Sequence, residues 1–230
     1  MKLDTIGVIG AGTSGKGIIR ALAGSNLNVT FCEVSEEKVE QALADIEDSL
    51  EREKARWSVT ESEKRLILSR VKGTTDIRKM AGAQIVLEAT PGEVEDKQAL
   101  YQELDQVFPE DTLLVSTSAT ICVSDIARKT LHPERVIGMH FCLPVPRRPI
   151  IEIMRGRETS EKTVEVAKLL ARIMKKEILD VFEMPGLITT RIMIPYINEA
   201  MHIVMEGLAS PDDVDKAIRL GFKLPIGPLT

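Results

Sequence analysis

Gly10-Ala11-Gly12-Thr13-Ser14-Gly15 follows the apolar run Ile6-Gly7-Val8-Ile9 and opens onto Lys16-Gly17-Ile18-Ile19-Arg20-Ala21-Leu22. A glycine-rich turn between a buried strand and a helix permits a tight bend, close approach of backbone to a pyrophosphate, and tight packing of helix on strand. The N–H groups and dipole of the helix start then favour an anion. Such a turn is weak evidence alone. Here a second strand, Asn28-Val29-Thr30-Phe31-Cys32, follows at βαβ spacing and ends in Glu33. A carboxylate there accepts both ribose hydroxyls of NAD and repels the extra phosphate of NADP. Val34, Ser35, Glu36 and Glu37 add no cation to welcome that phosphate. The expected cofactor is NAD, held by Gly10, Ala11, Gly12, Thr13, Ser14, Gly15 and Glu33.

With 230 residues, 43% of them apolar, the chain can bury a substantial core. A net charge of −5 gives no reason to expect nucleic acid or an anionic membrane as partner. Cys32, Cys122 and Cys142 are odd in number and widely spaced, which reads as reduced, mostly buried thiols. The N-terminus enters a strand directly and no apolar stretch is long enough to span a membrane, so the cytoplasm is the expected location. No metal is expected.

Further along, short apolar runs alternate with helical spacing. Strands are expected at 85–89, 113–117, 136–140 and 150–154. Helices are expected at 36–57 and 60–71, after the strand at 85–89, and at 161–175. This rhythm predicts an α/β fold, a Rossmann-type, doubly wound, mostly parallel sheet. It stops near Met184-Pro185-Gly186. Beyond lies a helix over about 187–206, apolar on nearly every face, which calls for burial in its own domain or against a second subunit. Ser210-Pro211 starts another, with the serine as N-cap and the proline at the first helical position. The expected domains are 1–184, binding NAD, and 185–230, the start of an all-helical C-terminal domain. So much apolar surface in so few residues looks incomplete: either the chain continues beyond Thr230 or its core is completed by pairing.

These residues carry a family resemblance. Gly10 to Gly17, Ser116-Thr117-Ser118, His140-Phe141-Cys142-Leu143-Pro144-Val145-Pro146, Ile151-Glu152-Ile153, Pro185-Gly186-Leu187-Ile188, Arg191, Pro195-Tyr196-Ile197-Asn198-Glu199-Ala200 and the segment 207–229 occur in family order along the whole chain. The chain resembles the short-chain L-3-hydroxyacyl-CoA dehydrogenases. The resemblance implies NAD-dependent interconversion of a 3-hydroxyacyl thioester and its 3-ketoacyl form, and a homodimer formed through the helical domain. It implies His140 as general base, Glu152 as the partner that stabilises its imidazolium, and Ser118 as hydrogen-bond donor to the substrate's 3-oxygen. His140 suits the first role on chemistry alone, because it ends a predicted parallel strand and imidazole titrates near neutrality. His132 and His202 are read as structural. Ala89, Lys97, Ser118 and Leu143 match positions near the cofactor, and Ser49 and Arg56 match positions that contact coenzyme A. Lys54 is a further cation on that helix, but Glu47, Asp48, Glu51 and Glu53 interleave, and a solvated charged face is nearly as good a reading.

Three departures bear on the substrate. The family's Asn-Thr-Ser is Ser116-Thr117-Ser118, the asparagine of its His-Phe-Phe-Asn-Pro segment is Leu143, and the asparagine before its second-domain arginine is Thr190. The His–Glu pair persists, so the changes point to an altered substrate or slower turnover. One alternative is a small hydroxyacyl group borne on an acyl carrier protein. Another is a weakly active or non-catalytic NAD-binding module.

Overall fold

Thr5–Ile9 (β1), Asn28–Cys32 (β2), Ile85–Glu88 (β4) and Leu113–Ser116 (β5) are short and almost wholly buried, as strands covered on both faces must be. The structure, a computed structural model, describes residues 2–55 and 59–230. Among them, these four strands join Val71–Thr74 (β3), Val136–Phe141 (β6), Ile150–Arg155 (β7) and Glu177–Phe182 (β8) in one sheet, ordered β3-β2-β1-β4-β5-β6-β7-β8. Pairing is parallel except between β6 and β7. The doubly wound, mostly parallel α/β architecture is therefore present.

Helices Thr13–Gly24 (α1), Glu36–Lys54 (α2), Glu61–Ser69 (α3), Val94–Val107 (α4), Val123–Ala127 (α5) and Glu161–Ile173 (α6) belong to the same unit. Their starts follow local chemistry. Ser35 accepts the Lys38 N–H, Thr60 and Glu63 form a capping box, and Ser160 accepts the Thr163 N–H. The core runs through Ile6, Val8, Ile18, Leu22, Phe31 and Ile46, continuing to Ile137, Ile151 and Leu170.

Three features differ from the sequence reading. The expected helix 60–71 ends at Ser69 and hands Val71 to a strand, and β8 follows α6 where no strand was expected. Both strands lie at sheet edges; β3, Val71-Lys72-Gly73-Thr74, is short and carries little apolar pattern, whereas β8, Glu177-Ile178-Leu179-Asp180-Val181-Phe182, is rich in apolar strand-forming residues and is legible as a strand. The thiols are less buried than anticipated: all three cysteines are free, but only Cys32 is buried. The last residues of the expected helix 36–57 lie outside the described residues.

The chain divides into compact units at Met1–Met184 and Pro185–Thr230. The second contains helices Thr189–Met205 (α7) and Pro211–Gly221 (α8), the latter capped by Ser210 through the Asp213 N–H. Asp215 accepts the Leu229 N–H at 2.8 Å and ties down the end of the segment. The burial expected for α7 is not met within this chain, since Ile192, Met193, Ile194, Met201 and Met205 are exposed. No helix among the described residues is long and apolar enough to cross a membrane.

Candidate active site

The turn after β1 is built by backbone geometry that side chains would block. Gly10 has φ +86°, which L residues rarely adopt. A Cβ on Gly15 would lie 2.0 Å from the Gly10 carbonyl oxygen, so α1 seats on the turn only because residue 15 lacks one. At Gly12, by contrast, nothing lies within 4 Å of where a Cβ would stand. The start of α1 has no side-chain cap and no acidic residue in its first turn. Its N–H groups and dipole are thus offered to an incoming anion, and the opening fits a pyrophosphate.

Glu33, just past β2, closes the other side of this cradle. Its Oε1 accepts the Ala11 N–H at 2.6 Å and its Oε2 accepts the Val34 N–H at 3.2 Å. An ionised carboxylate has about four acceptor positions, so capacity remains for ribose hydroxyls. The same charge, after burial itself, helps push the Cys32 thiol up to about 11. Residues and geometry both fit NAD.

At the same edge of the sheet, β6 and β7 pair antiparallel with His140 directly opposite Glu152. His140 Nδ1 lies 2.7 Å from Glu152 Oε2. The Glu152 side chain is fully buried, whereas that of His140 retains 16% exposure. Toward an ionised carboxylate, which only accepts, Nδ1–H is the donor, and in the neutral ring with that tautomer Nε2 has its lone pair for another partner. This is the arrangement of a base with an orienting group. Next door, the parallel register pairs Ser116 with Gly138, and two residues further along each chain stand Ser118 and His140. Ser118 Oγ accepts the N–H groups of Thr120 and Ile121 at 3.3 and 3.2 Å. The hydroxyl thus shapes its turn through its lone pairs and still has a proton to donate. The helix α5 is capped at Cys122, so Ser118 is not its N-cap.

Cys142, two residues past His140, brings a third donor type to this place. The ligand-capable atoms of His140, Cys142 and Glu152 all lie within 4.8 Å of one another. Leu143 follows, 48% exposed. Its loop is held from below by Lys176, whose Nζ donates to the Val145 and Arg148 carbonyls at 2.7 and 2.6 Å. Burial holds the Lys176 ammonium below the usual lysine range. Nothing local in the sequence marks Lys176 as the support of a loop some thirty residues earlier.

Lys97 is turned inward, with its side chain only 5% exposed. Its ammonium donates to Glu88 Oε1 at 2.6 Å and to the carbonyl and hydroxyl of Thr90. Glu88 Oε1 also accepts the Thr90 N–H at 2.6 Å. This clamp fixes the Ala89–Thr90 turn, which walls the glycine loop: a Cβ on Gly10 would come within 2.8 Å of the Thr90 methyl. Ala89 itself donates to the Ile9 carbonyl at 2.8 Å. The reading of the sequence missed Glu88. The available signal was a carboxylate inside the apolar run Ile85-Val86-Leu87-Glu88-Ala89, where burial demands a cation.

A cleft of about 620 Å³ opens between α1, α2 and the loop after β6. Thr13, Lys16, Arg20, Ser49, Arg52 and Leu143 are among its walls. Ser49 accepts from Arg20 Nη1 at 2.7 Å, and Arg20 also pairs with Glu53, which Arg147 joins at 3.2 Å. Lys16 pairs with Asp45. Lys54 is engaged by Glu51 and Glu61. Arg56 lies outside the described residues, and Thr190 stands on the first turn of α7, in the second unit.

Two family models match the chain: the 3-hydroxyacyl-CoA dehydrogenase NAD-binding domain over residues 5–184 and the C-terminal domain of the same family over residues 186–230. Among curated relatives, a probable 3-hydroxybutyryl-CoA dehydrogenase of Bacillus subtilis is 34% identical over 229 residues, covering 100% of this chain and 80% of that protein. A 3-hydroxyadipyl-CoA dehydrogenase of Escherichia coli is 33% identical over 229 residues, covering 100% of this chain and 48% of that protein. Among solved structures, the (S)-3-hydroxybutyryl-CoA dehydrogenase of Ralstonia eutropha superposes with a TM-score of 0.92 at 35% identity, covering 99% of this chain and 81% of that one.

Proposed function

Since the chain belongs to the 3-hydroxyacyl-CoA dehydrogenase family and is an NAD-dependent oxidoreductase, we propose that it interconverts a short 3-hydroxyacyl-CoA and its 3-ketoacyl form with His140 as general acid and base. The observation that carries this reading is the 2.7 Å contact from His140 Nδ1 to the fully buried Glu152, at the sheet edge that also bears the glycine turn. Bound NAD⁺ supplies the hydride acceptor for oxidation, and NADH the donor for reduction. The protein's own work is proton handling and positioning. In oxidation, His140 Nε2 takes the proton of the 3-hydroxyl as the C3 hydrogen leaves with its electron pair. Glu152 holds the ring's orientation and stabilises the imidazolium that forms. Ser118 donates to the 3-oxygen in both directions. In reduction, the imidazolium returns its proton to that oxygen.

The remaining roles follow the same geometry. Glu33 takes the ribose hydroxyls, the start of α1 takes the pyrophosphate, and Ala89 and Leu143 line the cofactor's path. Lys97 acts through Glu88, keeping the Ala89–Thr90 wall in place. Ser49, with Lys16, Arg20 and Arg52 around the cleft, receives the phosphate-bearing arm of coenzyme A, and Arg56 is assigned the same role on family resemblance alone. The segment 185–230 serves substrate binding and dimerisation, and the exposed apolar residues of α7 are the homodimer contact. Leu143 and Thr190 offer less hydrogen bonding than asparagine would, so acetoacetyl-CoA is expected to be a slow substrate.

Loss of NADH absorbance with acetoacetyl-CoA, and with the same acyl group on an acyl carrier protein, tests the reading. Turnover of the CoA thioester is the expected result, and Leu143→Asn with Thr190→Asn is expected to raise it. Turnover on the carrier protein alone would move the substrate to that class. Tight NADH binding without turnover of either thioester would make the protein a cofactor-binding module.

A further inference from the structure

Three side chains of different chemistry meet at the mouth of the β6–β7 pair. His140 lies in the last pleat of β6 and Cys142 stands just past the strand's end at Phe141. Glu152 faces His140 across the ladder. Their donor atoms lie within 4.8 Å of one another, and the His140–Glu152 pair stands at 2.7 Å. Tetrahedral Zn²⁺ with bonds of about 2.0–2.3 Å needs neighbouring donors roughly 3.3–3.8 Å apart. Shifts on the order of 1 Å in the imidazole and thiol would satisfy it.

From this juxtaposition we infer that His140, Cys142 and Glu152 form a three-ligand site for a thiophilic divalent cation, with Zn²⁺ as the fitting ion. One imidazole, one thiolate and one carboxylate are the donors Zn²⁺ prefers, and three protein ligands leave the fourth position to water. On binding, the Cys142 S–H bond breaks, its proton leaves to solvent, and a metal–sulfur bond forms; no electron changes hands. The charge also balances. Thiolate and carboxylate together carry −2, so the bound cation makes the cluster neutral and able to sit where Glu152 is fully buried. The existing hydrogen bonds of these groups are exchanged for metal bonds. Because the ion takes the His140 ring and its carboxylate partner, a protein that uses His140 as its base is inhibited by the metal. The site itself stands independently of that catalytic role.

Cobalt(II) is the probe, since a thiolate ligand gives it charge-transfer absorption and a tetrahedral site gives it visible bands. Titration of the whole chain with Co²⁺ is expected to produce both, and Zn²⁺ to abolish them by displacement. Cys142→Ser and Cys142→Ala, which keep Cys32 and Cys122, are expected to lose the charge-transfer band. In parallel, Zn²⁺ is expected to inhibit NADH oxidation reversibly, with Cys142→Ser needing at least about tenfold more Zn²⁺ for equal inhibition. Absence of the bands from the wild type, or their persistence in both variants, overturns the site. Metal bands without inhibition would uphold the site and refute His140 as the catalytic base.

Discussion

Replacing Glu152 by Gln isolates the charge of the carboxylate from its shape. The amide is nearly isosteric, and its carbonyl can still accept the His140 Nδ1–H across the 2.7 Å contact. A hydrogen bond to a charged group is worth about 1.5–3 kcal/mol and a neutral one about 0.5–1.5, so the exchange costs about 1–1.5 kcal/mol in holding the ring, a loss the ground and transition states share and that does not itself lower kcat. A second effect applies only once the imidazolium forms. Its charge centre then lies about 4 Å from the carboxylate's, and at an effective dielectric constant near 20 that attraction is about 4 kcal/mol. Because Glu152 is fully buried, little solvent screening reduces it. The transition state develops only part of that charge, so kcat should fall by between roughly tenfold and a thousandfold. NADH affinity should stay within about twofold. The assay is steady-state NADH consumption with acetoacetyl-CoA, paired with a fluorescence titration of NADH. His140→Gln should cost about 10²–10⁴, and the double variant scarcely more than His140→Gln, because the two act as a unit. An unaltered kcat in Glu152→Gln, or additive losses in the double variant, would refute the pairing of charge with base.

Glu33→Ala should weaken NADH binding by about 1.5–3 kcal/mol and narrow its preference over NADPH; equal affinity of the wild type for both would remove Glu33 from the ribose. Lys97→Met leaves the Glu88 charge buried without its partner, a change expected to cost about 3–5 kcal/mol and to appear as a fall of about 6–20 °C in thermal unfolding. Failure of Lys97→Met to move the melting temperature would show that the clamp is dispensable. Cys32, held up to about 11, has roughly one part in a thousand as thiolate at pH 8, and should be the slowest of the three cysteines when timed alkylation is followed by peptide mass spectrometry.

What the sequence determined is what neighbours along the chain can encode. Gly10 to Gly15, the apolar runs of β1, β2, β4 and β5, and the cap Ser210 act over a few residues, so the doubly wound sheet and the glycine turn were legible from composition and spacing. Family resemblance, rather than spacing, singled out Glu152. Nothing within the eleven residues separating it from His140 says which side chain the loop will bring opposite the ring. That is decided by the register of β6 on β7, which only the packed sheet sets. The same holds for Lys176 beneath the Leu143 loop and for Arg20 on Ser49, partners brought together by α1 and α2 packing and by β8 closing the sheet edge. The edge strand β3 is short and weakly patterned, so only its pairing with β2 defines it; β8, by contrast, carries the apolar residues Ile178, Leu179, Val181 and Phe182 that mark a strand. In sequence Lys97 is the one cation of a polar helix, matched by resemblance to a position near the cofactor. Tertiary burial beside Glu88 makes it a structural charge, because a carboxylate removed from water must find a cation wherever the fold can supply one.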